Sequence, residues 1–448
     1  MRSFVISKTL KKKPFIIFLP FLVIYILFIL IFSNIQLNGD EDRYLMYAEN
    51  LTKGFYSPPP PAIDLGNGPG YSLIIAPLVA LGLPLIFIKL LNAVLYYLSI
   101  VLLFKSIKQF ASFRLSTIVS LFWALYPASF EKIASVLPET LAASLIPVIL
   151  FFTIGAFKLT DHKKSRKHIL FAGIAIGYLA LVKPIFGYVI MTMLAGIFIM
   201  VMIKRSNINY KKSLVIIIVA FLTTTPYLAY TYHLTGKMFY WSSFGGNNLY
   251  WMSSPYDDEY GDWMPYPPPS KDRQLYTIPG SDSLVILRHQ KDFDEILQNK
   301  EVREANVNNG IVMYNLTKGT AQDDLLRQIA VQNIKSHPVK FLQNIVSNIG
   351  RMIFNYPASY TPQKPSTLKR LPINGTLIVV FLFSMVPAFL NWRKIIYPMR
   401  FSLVFSVIYF GGSCLGSADL RMFTLIVPVL LLWIAYILPR SISLQLRW

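Results

Sequence analysis

Apolar runs separated by charged or Pro/Gly-containing breaks recur along the whole chain. They predict helices long enough to cross a membrane rather than the half-apolar faces of a soluble fold. Ten such spans are expected, at roughly 14–33, 84–104, 115–130, 140–157, 169–182, 185–203, 213–232, 373–390, 401–416 and 422–438. Two intervening segments are too long to be simple connectors. In the first, about 34–83, Asp40-Glu41-Asp42 opens a helical pattern that puts Tyr44, Ala48, Leu51 and Phe55 on one face, as in a short amphipathic helix at the membrane surface. Ser57 and four prolines end that helix. Gly66-Asn67-Gly68-Pro69-Gly70-Tyr71 then makes a turn, and 72–83 reads as a second surface helix.

The second long segment, 233–372, begins as an aromatic loop with Tyr240-Trp241, Tyr250-Trp251, Tyr260, Trp263 and Tyr266. Trp and Tyr suit a membrane interface or a sugar face equally well. Two amphipathic helices follow, broken at His337-Pro338. Leu325, Leu326 and Ile329 mark 322–336, and Leu342, Ile345, Val346 and Ile349 mark 339–354. The expected class is an all-α polytopic membrane protein in three parts: an N-terminal transmembrane module (1–232), an extracytoplasmic loop subdomain (233–372) and C-terminal transmembrane helices (373–448).

Composition agrees, since only 15% of residues are charged, 54% are hydrophobic, and soluble domains carry about 25% charged residues. The net charge of +21 decides orientation. With a cytoplasmic N-terminus, segments 1–13, 105–114, 158–168, 204–212, 391–400 and 439–448 fall inside and hold 22 of the 43 Lys/Arg against one acid, Asp161. That is the whole net charge, and the remainder of the chain is balanced. This positive-inside pattern places both termini in the cytoplasm of a plasma (inner) membrane protein. Nucleic acid binding would gather basic residues on one folded face and is rejected. The first span is long for a signal peptide and lacks a small-x-small cleavage site, so it reads as an uncleaved anchor.

Chemistry has few places to sit. Cys414 is the only cysteine, so the chain cannot close a disulfide on itself. The five histidines show no metal-ligand spacing, and no phosphate-binding glycine loop is present. Ionisable residues beside spans are expensive and need a reason. Apart from Lys89, which is expected to snorkel, those outside the basic inner loops lie at outer span ends. Asp40 and Glu41 could serve as a general base with an orienting neighbour, or simply as acids at a helix N-terminus. Glu139, after Pro138, has the same two readings. Lys183 could touch a phosphate or snorkel. Arg421 could clamp a phosphate with its planar fork or pair locally with Asp419.

The order and spacing of these residues resemble the polytopic GT-C glycosyltransferases, in the bacterial branch related to protein O-mannosyltransferases and the lipid A aminoarabinose transferase. Asp40-Glu41-Asp42-Arg43-Tyr44 is similar to that branch's acid pair after the first span, and Pro69-Gly70-Tyr71 to its turn before a second surface helix. Gly66-Asn67-Gly68 stands where family members often have an arginine. Leu137-Pro138-Glu139-Thr140-Leu141, Lys183-Pro184, Thr225-Pro226-Tyr227, Ser336-His337-Pro338 and Asp419-Leu420-Arg421-Met422 match in order over about 400 residues of the chain.

The resemblance implies an integral membrane glycosyltransferase, hexosyl or pentosyl, that moves a sugar from a polyprenyl-phosphate donor to a glycan, lipid or protein acceptor on the extracytoplasmic side. It makes Asp40 and Glu41 catalytic, with Asp40 the base. Glu139 and Asp42 would position the acceptor or a metal, Lys183 and Arg421 would bind the donor phosphate, and Tyr44 and Tyr71 would line the pocket. Metal dependence differs within the superfamily, which leaves no cofactor and a divalent cation (Mg or Mn) both open. The competing classes are a transporter or flippase of lipid-linked saccharides, which would place charge near the midplane, and a polysaccharide ligase or polymerase.

Overall fold

The computed structural model describes residues 13–33, 36–37, 39–60, 63–204, 207–263, 275–277, 284–286, 320–359 and 365–441. The first helix, α1 (Pro14–Phe32), is apolar on all sides and carries proline in its first turn, where the missing N–H costs nothing. Two short helices follow, α2 (Asp40–Thr52) and α3 (Gly70–Ala80), at the positions read as surface helices. Then come α4 (Leu85–Lys108), α5 (Phe113–Ala124), α6 (Pro127–Phe130), α7 (Glu139–Lys158), α8 (His162–Val182), α9 (Ile185–Ile203) and α10 (Ile208–Thr235). Polar caps mark the loop-to-helix joints on the basic side. Asp161 accepts the Lys163 and Lys164 N–H groups at 2.9 and 3.2 Å at the start of α8, and Asn207 accepts the Asn209 N–H at the start of α10.

The loop region contributes α11 (Gly245–Met252), α12 (Thr320–Ser336) and α13 (Pro338–Phe354). An antiparallel pair, β1 (Leu275–Thr277) and β2 (Leu284–Ile286), is the one departure from helix among the described residues. The chain closes with α14 (Pro365–Leu390), α15 (Tyr397–Cys414), α16 (Leu420–Thr424) and α17 (Val427–Ser441).

This is a multi-pass membrane protein. Among the described residues, seven helices (α1, α4, α7, α8, α9, α10 and α14) are long and apolar enough to cross a membrane. The other three expected spans differ in form. The 115–130 run breaks into α5 and α6, because Pro127 disfavours a helical Tyr126 before it. The 401–416 run is α15, 18 residues long, and the 422–438 run breaks into α16 and α17. α7 sits at the centre, packed on α4 and α8, while α8 packs on α10 and α1 lines α4 from outside. Aromatic hydroxyls tie the layers together: Tyr25 donates to the Ala124 carbonyl at 2.7 Å and Tyr96 to the Trp123 carbonyl at 2.6 Å.

Three sequence readings need correction. Lys89 does not snorkel; it is buried and donates to Ser33 Oγ at 2.7 Å. Of the loop aromatics, Tyr240, Trp241, Tyr250 and Trp251 are packed into the interior, while Trp263 is exposed and Tyr266 lies outside the described residues. Finally, α13 splits its expected apolar face, with Ile345 and Ile349 packed on the core, and turns polar residues inward beside them. Asn344, Asn348 and Arg351 are buried, while Leu342 and Val346 are exposed. In α12, Leu326 and Ile329 are buried as expected, and the Leu325 side chain lies outside the described residues.

Candidate active site

Four of the expected residues come together at one end of the spans. Asp40 and Glu139 are the first residues of α2 and α7, Lys183 caps the C-terminus of α8, and Arg421 lies in α16. Lys183 Nζ donates to Glu139 Oε1 at 2.9 Å, and Arg421 Nη1 approaches the same oxygen at 3.4 Å. Arg421 Nη1 also lies 3.8 Å from Asp40 Oδ2, and Arg43 Nη1 lies 3.3 Å from Asp40 Oδ1. The side chains thus alternate in charge as Lys183, Glu139, Arg421, Asp40, Arg43. Asp419 flanks the chain, accepting the Arg421 N–H and its Nε–H, both at 2.8 Å. Three surrounding carboxylates hold the Arg421 guanidinium firmly in its charged form; Asp419 contributes most and outweighs the opposing effect of burial.

Burial divides the chain of charges. The Glu139 and Lys183 side chains are 7% and 14% exposed, whereas those of Asp40 and Arg421 are 43% and 37% exposed. The inner pair is structural as well as chemical, because without Lys183 the buried Glu139 keeps only its longer 3.4 Å contact to Arg421. Lys183→Met is expected to lower the detergent thermal midpoint, with recovery in the Lys183→Met/Glu139→Gln double variant. A single variant as stable as wild type would show that Arg421 alone satisfies Glu139.

Asp40 is not occupied as a helix cap. Gly39 is the N-cap residue of α2, no side chain caps that end, and the Asp40 carboxylate faces two arginines instead. Glu41 has a different position. It is buried, and its Oε1 accepts the Val136 N–H at 2.7 Å, bracing the loop that leads to Glu139. Asp42 is exposed on the α2 surface and is not among the paired carboxylates. Tyr44 and Tyr71 are both buried, edge to face with ring centroids 5.5 Å apart. Burial raises the Tyr44 hydroxyl well above its ordinary value, and the nearby Glu139 and Asp40 charges push the same way, so it stays a neutral donor.

The turn before α3 reaches this site by close approach. A side-chain carbon on Gly68 would lie 2.1 Å from the Leu181 carbonyl oxygen, and one on Gly70 would lie 2.7 Å from the Val182 nitrogen. Only glycine lets the turn lie against the residues that lead into Lys183. Gly70→Ala is therefore expected to lower the thermal midpoint and disturb Lys183 together; an unchanged midpoint would mean that the turn can retreat.

Sequence reasoning passed over Arg43. Its Nη1 lies 3.9 Å from the point a side chain on Gly66 would occupy, so a cation from α2 reaches the Gly66-Asn67-Gly68 turn. The signal was its spacing, one turn after Asp40 on the same helix face. As for a metal, each carboxylate of the cluster already faces a cation, and no group of three or more His, Cys, Asp or Glu that could hold an ion exists among the described residues.

No protein-family model matches the chain, and no curated protein matches it. Solved structures do align with it. The crystal structure of ArnT from Cupriavidus metallidurans bound to undecaprenyl phosphate aligns with 95% of this chain and 77% of its own, at 11% identity and a TM-score of 0.40. The archaeal oligosaccharyltransferase AglB from Archaeoglobus fulgidus, in complex with an inhibitory peptide and a dolichol phosphate, aligns with 94% of this chain at 12% identity and a TM-score of 0.46. The Archaeoglobus fulgidus oligosaccharyltransferase tethered to an acceptor peptide gives 94%, 13% and 0.49. This chain spans about half the length of those two archaeal structures, 50% and 49%.

Proposed function

We propose that the chain is a membrane glycosyltransferase that takes a sugar from a polyprenyl-phosphate donor and passes it to an acceptor hydroxyl at the membrane surface carrying the acid–cation cluster. The observation that carries this reading is the half-exposed Asp40–Arg421 pair backed by a buried Glu139–Lys183 pair. A base and a phosphate-binding cation thereby stand side by side at the ends of the spans. A donor anchored in the bilayer by its lipid would present its phosphate at that level, and the positive-inside distribution puts that side outside the cell.

In the reaction, Asp40 takes the proton of the acceptor hydroxyl as its oxygen attacks the anomeric carbon. The bond from that carbon to the phosphate oxygen breaks, and its electrons leave with the lipid phosphate. Arg421, with Lys183 behind it, stabilises the charge that develops there. Tyr44 and Tyr71 wall the pocket, and Arg43, 3.3 Å from Asp40 Oδ1, orients that carboxylate. Positive charge comes from side chains, so EDTA is expected to leave donor binding unchanged; loss of binding would call for a metal after all. Placing the charged residues at span ends favours this reading over a transporter, whose charges line the midplane.

Undecaprenyl phosphate and undecaprenol tests the reading without knowledge of the sugar. The purified protein in lipid nanodiscs is expected to bind the phosphate at least about tenfold more tightly, a difference of ~1.4 kcal/mol. Equal binding of both lipids would remove the phosphate site and with it the proposed donor.

A further inference from the structure

α13 is amphipathic in the sense opposite to a helix on a water-soluble subdomain. Val339, Leu342 and Val346 are 68%, 61% and 69% exposed, and their spacing of three and four residues makes them one ridge. The inward side buries Asn344, Asn348 and Arg351, with Ile345 and Ile349 packed on the core beside them. Asn348 Nδ2 donates to the carbonyls of Gly416, Cys414 and Ser413 at 2.7, 3.2 and 3.3 Å, and its Oδ1 accepts the Ala418 N–H at 3.1 Å. Arg351 Nε donates to the Ala418 carbonyl at 3.0 Å and Nη2 to Asn348 Oδ1 at 2.8 Å. This helix therefore clasps the segment that leads directly into Asp419 and Arg421.

The position of α13 relative to the spans identifies what covers the ridge. Asn374 Nδ2 donates to the Ile353 carbonyl near the end of α13, and Tyr126 Oη donates to Asn374 Oδ1 at 2.9 Å. Asn374 lies nine residues into α14, after Lys369 and Arg370 and at the start of the apolar run 373–390. The end of α13 is thus held level with the outer edge of a membrane helix. The exposed side of α14 is apolar at Leu371, Val379, Leu382, Phe383 and Val386, as a helix side in contact with lipid is, and an exposed apolar ridge on a helix held at the edge of that span suits the bilayer surface.

We infer that α13 is seated in the bilayer surface with Val339, Leu342 and Val346 among the acyl chains, and that this seat holds the 413–418 segment and through it Arg421. One helix then joins the lipid to the cation of the candidate site: its outer face is fixed by the membrane, and its inner face, through Asn348 and Arg351, positions the loop.

Nitroxide labels on Leu342→Cys and Val346→Cys, in protein reconstituted in nanodiscs of phosphatidylethanolamine and phosphatidylglycerol, test the seat. Unsubstituted protein, in which Cys414 is buried, serves as the labelling blank. Oxygen collisions are expected to exceed those with a water-soluble nickel chelate severalfold at both positions, with the reverse at Lys335→Cys on α12. Nickel dominance on the ridge would show that it faces water, and shielding from both probes would show that protein covers it; either result overturns the inference. A label at Ser417→Cys reads the coupling. Its spectrum is expected to sharpen when Leu342 and Val346 are both changed to Asp, and not with Gln332→Asp at an exposed position of α12; identical spectra would separate the membrane seat from the loop. Neither readout depends on transfer activity, so a failure here is distinguishable from a failure of the proposed function.

Discussion

Asp40→Asn is expected to reduce sugar transfer by about 10²–10⁴-fold, the usual contribution of a positioned general base, while leaving fold and lipid binding unchanged. The substitution keeps size and hydrogen-bonding shape and removes only basicity. Its stability cost should be small, because the Asp40 side chain is 43% exposed, its partners Arg43 and Arg421 stand at 3.3 and 3.8 Å, and half-exposed ion pairs contribute little. The measurement is transfer from radiolabelled polyprenyl-phosphate hexose and pentose donors, with undecaprenyl phosphate binding as the control for folding. A fall in kcat with binding intact assigns the base. Transfer within a factor of a few of wild type would move the search to Glu139 and Glu41, although the Val136 N–H already occupies one oxygen of Glu41.

The second large effect concerns Arg421. Its guanidinium lies 2.8, 3.4 and 3.8 Å from oxygens of Asp419, Glu139 and Asp40. Arg421→Ala would therefore leave three carboxylates around an empty centre, where an arriving phosphate meets repulsion instead of a fork of donors. Undecaprenyl phosphate affinity is expected to fall roughly 10²-fold, ~2.7 kcal/mol. Arg421→Lys should recover only part of it, because a compact ammonium cannot face several oxygens at once as the planar guanidinium does. Titration of both variants in nanodiscs is the check, and an alanine variant that binds within threefold of wild type would place the phosphate elsewhere. Lys183→Met would be a poorer probe, since its loss also removes the nearer partner of buried Glu139.

What the sequence by itself determined is what local pattern encodes. Apolar runs and their basic borders mark the membrane helices because crossing the bilayer imposes length and charge rules on consecutive residues. The α2 pattern and the second surface helix are likewise local and stand near where they were read, although α2 ends at Thr52, before Phe55 and the prolines, with Gly54 at positive φ, and α3 already starts at Gly70. Breaks inside expected spans were harder to read. The 115–130 run breaks between Ala124 and Pro127 and the 422–438 run between Thr424 and Val427, and an apolar average hides such short breaks.

Only the tertiary structure decided how residues distant along the chain meet. Asp40, Glu139, Lys183 and Arg421 are separated by up to 381 positions in the numbering, and nothing local reports that their helix ends share one corner. The same reason separates Glu41, which braces the Val136 backbone, from its neighbour Asp40, which faces two arginines. It also explains why Tyr240, Trp241, Tyr250 and Trp251 are packing residues rather than an open sugar-stacking face. For α13, periodicity revealed two faces but not which one points inward. In water the apolar face goes in; beside a bilayer, lipid covers the apolar face, and the buried hydrogen bonds of Asn348 and Arg351 hold the polar one. The solvent on the far side of the helix settles that choice, and a helical pattern is the same in either.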